Sequence, residues 1–370
     1  MPDRARAHAL AAAAAPHGVE HLLVGSGPNL RWLTGFTGSN GLAILDVAQG
    51  SGAGGIFLTD FRYMEQAAVQ LAGGWDLRRS AQELFGPGLA DLFGDERADG
   101  KLPRVGFDDL ATSVAGHRRA QEELRGRVEL VPCGGLVERL REVKDPEEVR
   151  WIRAAAELAD RALLKVLGDG LRGRTEREVA IALEVEMLGM GADGVSFAPI
   201  VAHGAHGALP HAEPRDVAIA DGSLVTIDWG CRLDGYCSDC TRTFAVGEVP
   251  EAQREIYELV RAAQEAALVA VRPGPTGREV DAVARQLIDD AGHEAHFGHG
   301  LGHGVGLEIH EGPRLSRQGE SVLEAGMIVT IEPGVYVPGM CGVRIEDLVH
   351  ITARGHEVLN GLPKTLQDAG

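Results

Sequence analysis

The chain has 370 residues, a formal charge of −18, 44% hydrophobic residues and 24% charged ones. That length accommodates two domains with separate cores, and the apolar fraction excludes a disordered chain. The acidic balance argues against nucleic acid or an anionic membrane as partner, and no apolar run reaches membrane-spanning length.

Arg4 and Arg6 precede an alanine run, Ala11–Ala15. Alanine makes a weak signal-peptide core but is the best helix former, so the run reads as the first helix of a mature, cytoplasmic domain. A strand follows over Gly18–Val24. Gly41–Leu45 and Gly55–Thr59 read as strands separated by a Gly-rich turn at 50–55, Met64–Leu71 as a helix, and Arg104–Phe107 as another strand. The alternation predicts an α/β domain over residues 1–133. Pro132-Cys133-Gly134-Gly135 breaks the pattern, and residues 136–370 form the second domain.

The second domain reads as a duplication. Pro146 and Pro250 open long helices, and Thr175-x-x-Glu178 and Thr276-x-x-Glu279 are capping boxes that start another helix in each half. Phe197 and Phe297, then His203-Gly204 and His303-Gly304, follow in the same order, before Thr226-Ile227-Asp228 and Thr330-Ile331-Glu332. The offsets are 104, 101, 100, 100 and 104 residues, a constancy that points to two halves related by a pseudo-twofold axis.

Each Thr-Ile-acid run ends a strand and is followed by a second carboxylate, Asp239 or Glu346, across a turn at Asp234-Gly235 or Pro338-Gly339. The spacing places the two acids of each hairpin on opposite arms, facing one another across the ladder. Four carboxylates converging on one axis cannot all ionise without cations. Gly298-His299-Gly300-Leu301-Gly302-His303-Gly304-Val305-Gly306 adds imidazoles on a backbone that can approach a ligand closely, and it runs into an apolar, strand-like Leu307–His310. Four acids and a histidine suit two ions such as Mn²⁺, Co²⁺, Fe²⁺ or Zn²⁺. Two such ions roughly 3.5–4 Å apart can share a hydroxide and polarise a carbonyl. The five cysteines are an odd number without a disulfide framework, and Cys237-x-x-Cys240 has no second pair, so the thiols read as buried and structural.

The motifs Ala208–Pro214, Ile227-Asp228-Trp229-Gly230, Tyr236–Thr243, the Gly-His segment through Leu315, Ile331-Glu332-Pro333-Gly334 and Val343–Asp347 together resemble the aminopeptidase P and prolidase family of pita-bread dinuclear metallopeptidases. Trp32–Ser39 and Leu58–Tyr63 resemble that family's first, creatinase/prolidase-type α/β domain, so the likeness spans the chain. It implies an α/β (α+β) protein whose second domain is the duplicated pita-bread fold. By that resemblance Asp228 binds one metal, His303 and Glu332 bind the other, and Asp239 and Glu346 bridge the two. His211 and His310 would stabilise the tetrahedral intermediate or its leaving group, His299 would shape the proline pocket, and Glu332 would receive the water proton. Arg344, on the same strand face as Glu346, would orient the bridging carboxylates. Tyr336 stands where relatives often have a site tyrosine, with core packing as the alternative, and Arg314 would contact a substrate carboxylate or form a surface ion pair.

The family commonly has Ser where His203 stands and Asn where His206 stands, and both histidines read as surface residues outside the metal shell. Trp32, Arg62 and Tyr63 read as packing within the first domain. The implied cofactors are two divalent ions per subunit, manganese foremost, with cobalt, zinc or iron also compatible. The implied partners are peptides with proline second and a second subunit in a cytoplasmic homodimer. The Phe36-Thr37-Gly38-Ser39 segment leans the reading toward an Xaa-Pro aminopeptidase, with an Xaa-Pro dipeptidase (prolidase) as the alternative. A metal-free creatinase-like amidinohydrolase or a non-catalytic pita-bread binding protein fits less well, because all five ligand positions are filled.

Overall fold

A computed structural model describes residues 4–25, 27–47, 55–71, 73–93 and 101–370. The chain divides into two units, Met1–Arg141 and Glu142–Gly370. The turn expected at 50–55 lies, except for Gly55, outside the described residues.

The first unit is built on a six-stranded mixed sheet. His21–Val24 sits at its centre, antiparallel to Gly41–Asp46 and parallel to Arg104–Phe107. Gly55–Thr59 and Trp75–Arg79 continue one side, and Glu129–Pro132 closes the other. The short aliphatic runs read from the sequence supply its core, in which Leu23, Leu42, Leu58, Val105 and Phe107 pack against Leu89 and Leu124. Trp32 is buried here beneath the Arg6 guanidinium. Arg62 pairs with Asp60, and the Tyr63 hydroxyl meets that of Ser39 at 2.6 Å.

The second unit consists of two similar halves. In the first, helices Pro146–Gly168 and Glu176–Gly189 back a three-stranded sheet whose middle strand is Ser223–Trp229, flanked by Ile200–His203 and Cys240–Val246. In the second, helices Glu251–Ala270 and Gly277–Asp290 back a five-stranded sheet that includes Gly302–Gly304, Glu311–Leu315, Ile328–Ile331 and Asp347–Thr352. Both capping boxes close as expected: the Thr175 and Thr276 hydroxyls accept the amides of Glu178 and Glu279, whose carboxylates return to the cap amides. Asp145 and Glu148 form a third box ahead of the first long helix. Each half has its own apolar core, and Trp229, fully buried, donates its indole N–H to the Ala159 carbonyl and so fixes the Asp228 strand to the Pro146–Gly168 helix.

The halves meet along a seam that side-chain hydroxyls stitch together. Thr241 and Thr243 share one face of their strand. Thr243 Oγ1 donates to the Arg344 carbonyl and accepts the Arg344 amide, and the Glu346 amide donates to the Thr241 carbonyl. Thr226 donates to the Gly342 carbonyl. Gly342 and Gly207 lie backbone to backbone, leaving no room for a side chain at Gly342.

Two expectations of local structure need correction. The ladders on either side of the second hairpin's acids share one register, which sets Glu332 opposite Glu346. In the first half the corresponding register sets Asp228 opposite Thr241 and Asp239 opposite Gly230, so Asp228 and Asp239 are diagonal neighbours, not a facing pair. The tighter Asp234-Gly235 turn, with both residues at positive φ, shortens that loop and causes the offset. Leu307–His310 is not a strand: the Gly306 amide turns back onto the Glu308 carbonyl, and pairing resumes only at Glu311.

Candidate metal centre

The ends of the two hairpins line a cavity of about 450 Å³. Asp228, Asp239 and Glu346 each present a carboxylate oxygen there, and the three atoms lie within 4.8 Å of one another. Glu332 and His303 complete the floor: His303 Nε2 is 3.3 Å from Glu332 Oε1 and 3.6 Å from Asp239 Oδ2. His211, His299, His310, Tyr336 and Arg344 also line the cavity.

The hydrogen bonds around these acids decide which atoms face inward. Arg344 is the hub. It donates from Nη2 to Asp228 Oδ2 at 2.6 Å, from Nε to Thr241 Oγ1 at 3.0 Å, and from Nη1 to the Tyr336 hydroxyl at 2.9 Å. Thr241 in turn donates to Glu346 Oε2 at 2.7 Å. Thr330 accepts the His303 amide and donates to Glu332 Oε1 at 2.9 Å. The two Thr-Ile-acid copies have therefore diverged, since Thr330 orients its own acid while Thr226 holds the seam. Behind Glu346, Asp347 is clamped by Arg242 and Lys364. Burial would raise the Asp347 carboxyl, but those two cations bring it below the usual range.

The remaining oxygens, Asp228 Oδ1 and Glu346 Oε1, are buried without a hydrogen-bond partner among the described residues. An orphaned buried carboxylate oxygen is costly. The His303 ring repeats the pattern: Nδ1 lies 3.1 Å from the Gly304 carbonyl, which can only accept, so Nδ1 carries the proton and the bare Nε2 lone pair points at two carboxylates. Burial and the neighbouring acids push the Asp239 and Glu346 carboxyls up, and burial pushes Glu332 up. Burial likewise holds His299, His303 and His310 below the usual imidazole range, as neutral rings. Every one of these costs is relieved by divalent cations among the inward-facing atoms, so the donor set fits such ions.

The imidazoles around the floor differ in what they offer. His299 donates Nδ1–H to the Gly300 carbonyl at 2.7 Å and accepts the Tyr336 hydroxyl at Nε2, 3.0 Å away, so it is fully engaged as a wall. His310 stands edge-on to His303 with ring centroids 4.4 Å apart and is exposed to the cavity. His211 is exposed on the facing loop. Arg314 does not line the cavity; it is exposed on the strand next to His303, paired with it in register, and its guanidinium makes no ion pair among the described residues.

His203 and His206 are not surface residues. Their side chains are 12% and 9% exposed, and both rings donate Nδ1–H to the buried carboxylate of Glu176. Burial works against the Glu176 charge, but Arg215 and the amide and imidazole donors outweigh it and bring its carboxyl down to about 2. A depressed carboxyl stabilises the fold above its unfolded pKa and loses that contribution as pH falls through the folded value. The contribution is on the order of 3 kcal/mol. Acid melts of Glu176→Gln should therefore converge with those of the unsubstituted protein between about pH 4 and pH 2. A gap that persists at pH 2 would contradict this.

Sequence reasoning passed over Glu176, Thr241 and Lys144. The Lys144 ammonium makes a buried 2.7 Å ion pair with Glu311, the residue after His310. The five cysteines are free and buried.

Residues 150–353 match the model of metallopeptidase family M24, and residues 6–143 match the creatinase/prolidase N-terminal domain. The uncharacterised peptidase YqhT of Bacillus subtilis is 41% identical over 94% of this chain and 96% of its own length. Among solved structures, the Xaa-Pro dipeptidase from Bacillus anthracis superposes with a TM-score of 0.90 at 37% identity, covering 98% of this chain and 99% of that one. The X-Pro aminopeptidase from Thermotoga maritima gives a TM-score of 0.85 at 32% identity, covering 96% and 99%. Further Xaa-Pro dipeptidases and prolidases, from Pyrococcus species, are among the similar proteins.

Proposed function

Because the chain belongs to metallopeptidase family M24 and carries a creatinase/prolidase N-terminal domain ahead of it, we propose that it is an Xaa-Pro dipeptidase. The observation that carries the metal-dependent reading is the cage itself, with two orphaned carboxylate oxygens and a bare imidazole nitrogen turned toward one space. Asp228, Asp239, His303, Glu332 and Glu346 would hold two divalent ions, with manganese our first choice. When bound, such ions act as Lewis acids and activate water at neutral pH.

The chain's own residues supply the rest. Glu332, whose carboxyl is raised by burial, takes up the proton that the attacking water gives up. His310 and His211, which both line the cavity, donate N–H to the oxyanion and to the departing proline nitrogen. His299 and Tyr336 wall the site against the proline ring. The Xaa-Pro bond has no amide N–H, so a site without an acceptor for one loses nothing on this substrate.

The preference for dipeptides over longer peptides replaces the aminopeptidase reading of the sequence. The similarity to proteins named as Xaa-Pro dipeptidases supports it. To the free carboxylate of a dipeptide we assign Arg314, which stands outside the cavity lining on the strand beside His303 and has no ion pair among the described residues. A charge-assisted hydrogen bond is worth about 1.5–3 kcal/mol, so kcat/KM on Xaa-Pro should exceed that on Xaa-Pro-Yaa or on the C-terminal amide by roughly 10–100-fold. Arg314→Met should erase the difference. Equal or faster cleavage of the tripeptide by the unsubstituted enzyme would restore the aminopeptidase reading. A second subunit and a cytoplasmic location belong to the same proposal, on resemblance alone.

A further inference from the structure

In each half of the second unit, the segment after the first site strand must be held over the cavity, and the two halves do it differently. In the second half a strand does the work: Glu311–Leu315 pairs with Gly302–Gly304 and lies directly on Gly277, where any side chain would strike the Arg314 carbonyl. The equivalent segment of the first half, from His203 to Arg215, belongs to no ladder beyond His203. It carries His211 and the cavity-lining residues Pro210, Ala212, Glu213 and Pro214.

The residue equivalent to Gly277 is Glu176, one position after the capping threonine in each half. Its side chain is fully buried and gathers donors from both ends of the loop. From one end come the His203 amide at 3.0 Å, His203 Nδ1 at 2.8 Å and His206 Nδ1 at 3.0 Å. From the other come Arg215 N, Nε and Nη2, each at 3.0 Å. Neither imidazole is left for a metal at Nδ1, and the bidentate Arg215 excludes a cation there.

We propose that Glu176 is a positioning residue for His211: one carboxylate, through His203, His206 and Arg215, replaces the missing strand and sets where the His211 loop stands over the cavity. The remaining loop contacts agree with a fixed height. The Pro210 carbonyl accepts from Arg344 Nη1 at 3.3 Å, and Gly207 abuts Gly342. The proposal rests on the peptidase reading for its activity arm only.

Loss of the clamp lowers the melting temperature whatever its role, so melting does not test the idea. A double-mutant cycle does, with Xaa-Pro dipeptide and Mn²⁺ at a temperature where all variants are folded. Glu176→Gln should lower kcat roughly 10–100-fold with little change in KM, as a misplaced group would. In a His211→Ala background the same substitution should cost less than about twofold, because the residue it acts through is gone. Equal losses in both backgrounds would overturn the proposal. Arg215→Ala, at the exposed end of the clamp, should show the same dependence on His211 and serves if Glu176→Gln fails to fold. Hydrogen exchange separates this from a failure of the peptidase reading. The hydrogen-bonded Leu209 and Ala212 amides should lose protection selectively in Glu176→Gln, whichever peptide is the substrate, and unchanged exchange would refute the clamp.

Discussion

Asp239→Asn and Glu346→Gln should each abolish peptidase activity while making the metal-free protein more stable. Burial raises both carboxyls, and neighbouring acids add to it: Glu346, Asp228 and Glu332 around Asp239, and Glu332 and Asp228 around Glu346. A carboxyl whose folded pKa lies above its unfolded value costs nothing below the ordinary carboxylate range. It costs progressively more as pH rises from that range through the folded value. The chelated protein should therefore lose stability from about pH 4 upward, and each amide variant should flatten that slope. The same substitution removes a carboxylate that would hold the ions, with a loss of several kcal/mol in the transition state and thus roughly 10³-fold or more in kcat/KM. The stabilisation on adding Mn²⁺ should shrink with it. Melting curves with and without chelator, beside rates on Xaa-Pro, test both halves. Retention of full activity by either variant would end its assignment as a metal ligand.

Arg344→Met should have the largest effect on folding. The guanidinium is 4% exposed and is the cation that bonds Asp228, while also holding Thr241, Tyr336 and the Pro210 carbonyl. Breaking a buried pair by removing one partner costs about 3–5 kcal/mol, because the stranded charge stays buried. Thr241 and Tyr336 would lose their anchor too, and such supporting contacts typically change metal affinity about 10–100-fold. Arg344→Lys should not rescue, since a single ammonium cannot reach partners on four sides. A melting temperature and Mn²⁺ titration indistinguishable from those of the unsubstituted protein would show that the hub is dispensable.

Much of this arrangement is legible in the residues. The Thr-Ile-acid repeat exposes the duplication because a carboxylate at the end of a β-branched strand is unusual. The capping boxes announce their helices through short-range chemistry alone. What stays hidden is whatever depends on partners distant in the chain. Thr241 looks like any strand threonine until Arg344 and Glu346 arrive on its hydroxyl. Glu176 sits in the first turn of a helix, where an acid is already explained by the dipole, so nothing marks it as the anchor of a loop 27 to 39 residues away. His203 reads as a surface residue because its real partner is that same acid. The diagonal offset of Asp228 and Asp239 escapes notice because turn length, not composition, sets the register.

The unequal halves of the second unit carry a consequence for how such a centre can specialise. A pair of identical halves would be obliged to present the same side chains from both directions: two imidazoles at the floor or none, and both rims hung from strands or both from side chains. Written as one chain, the halves are released from that obligation. One contributes His303 and a rim braced by backbone pairing, the other a rim whose two ends are gathered by the Glu176 carboxylate. The two faces a substrate meets are thereby free to change separately. Substitutions at His203, His206 or Arg215 reshape one rim and leave the opposite strand, and the ion cage beneath it, in place.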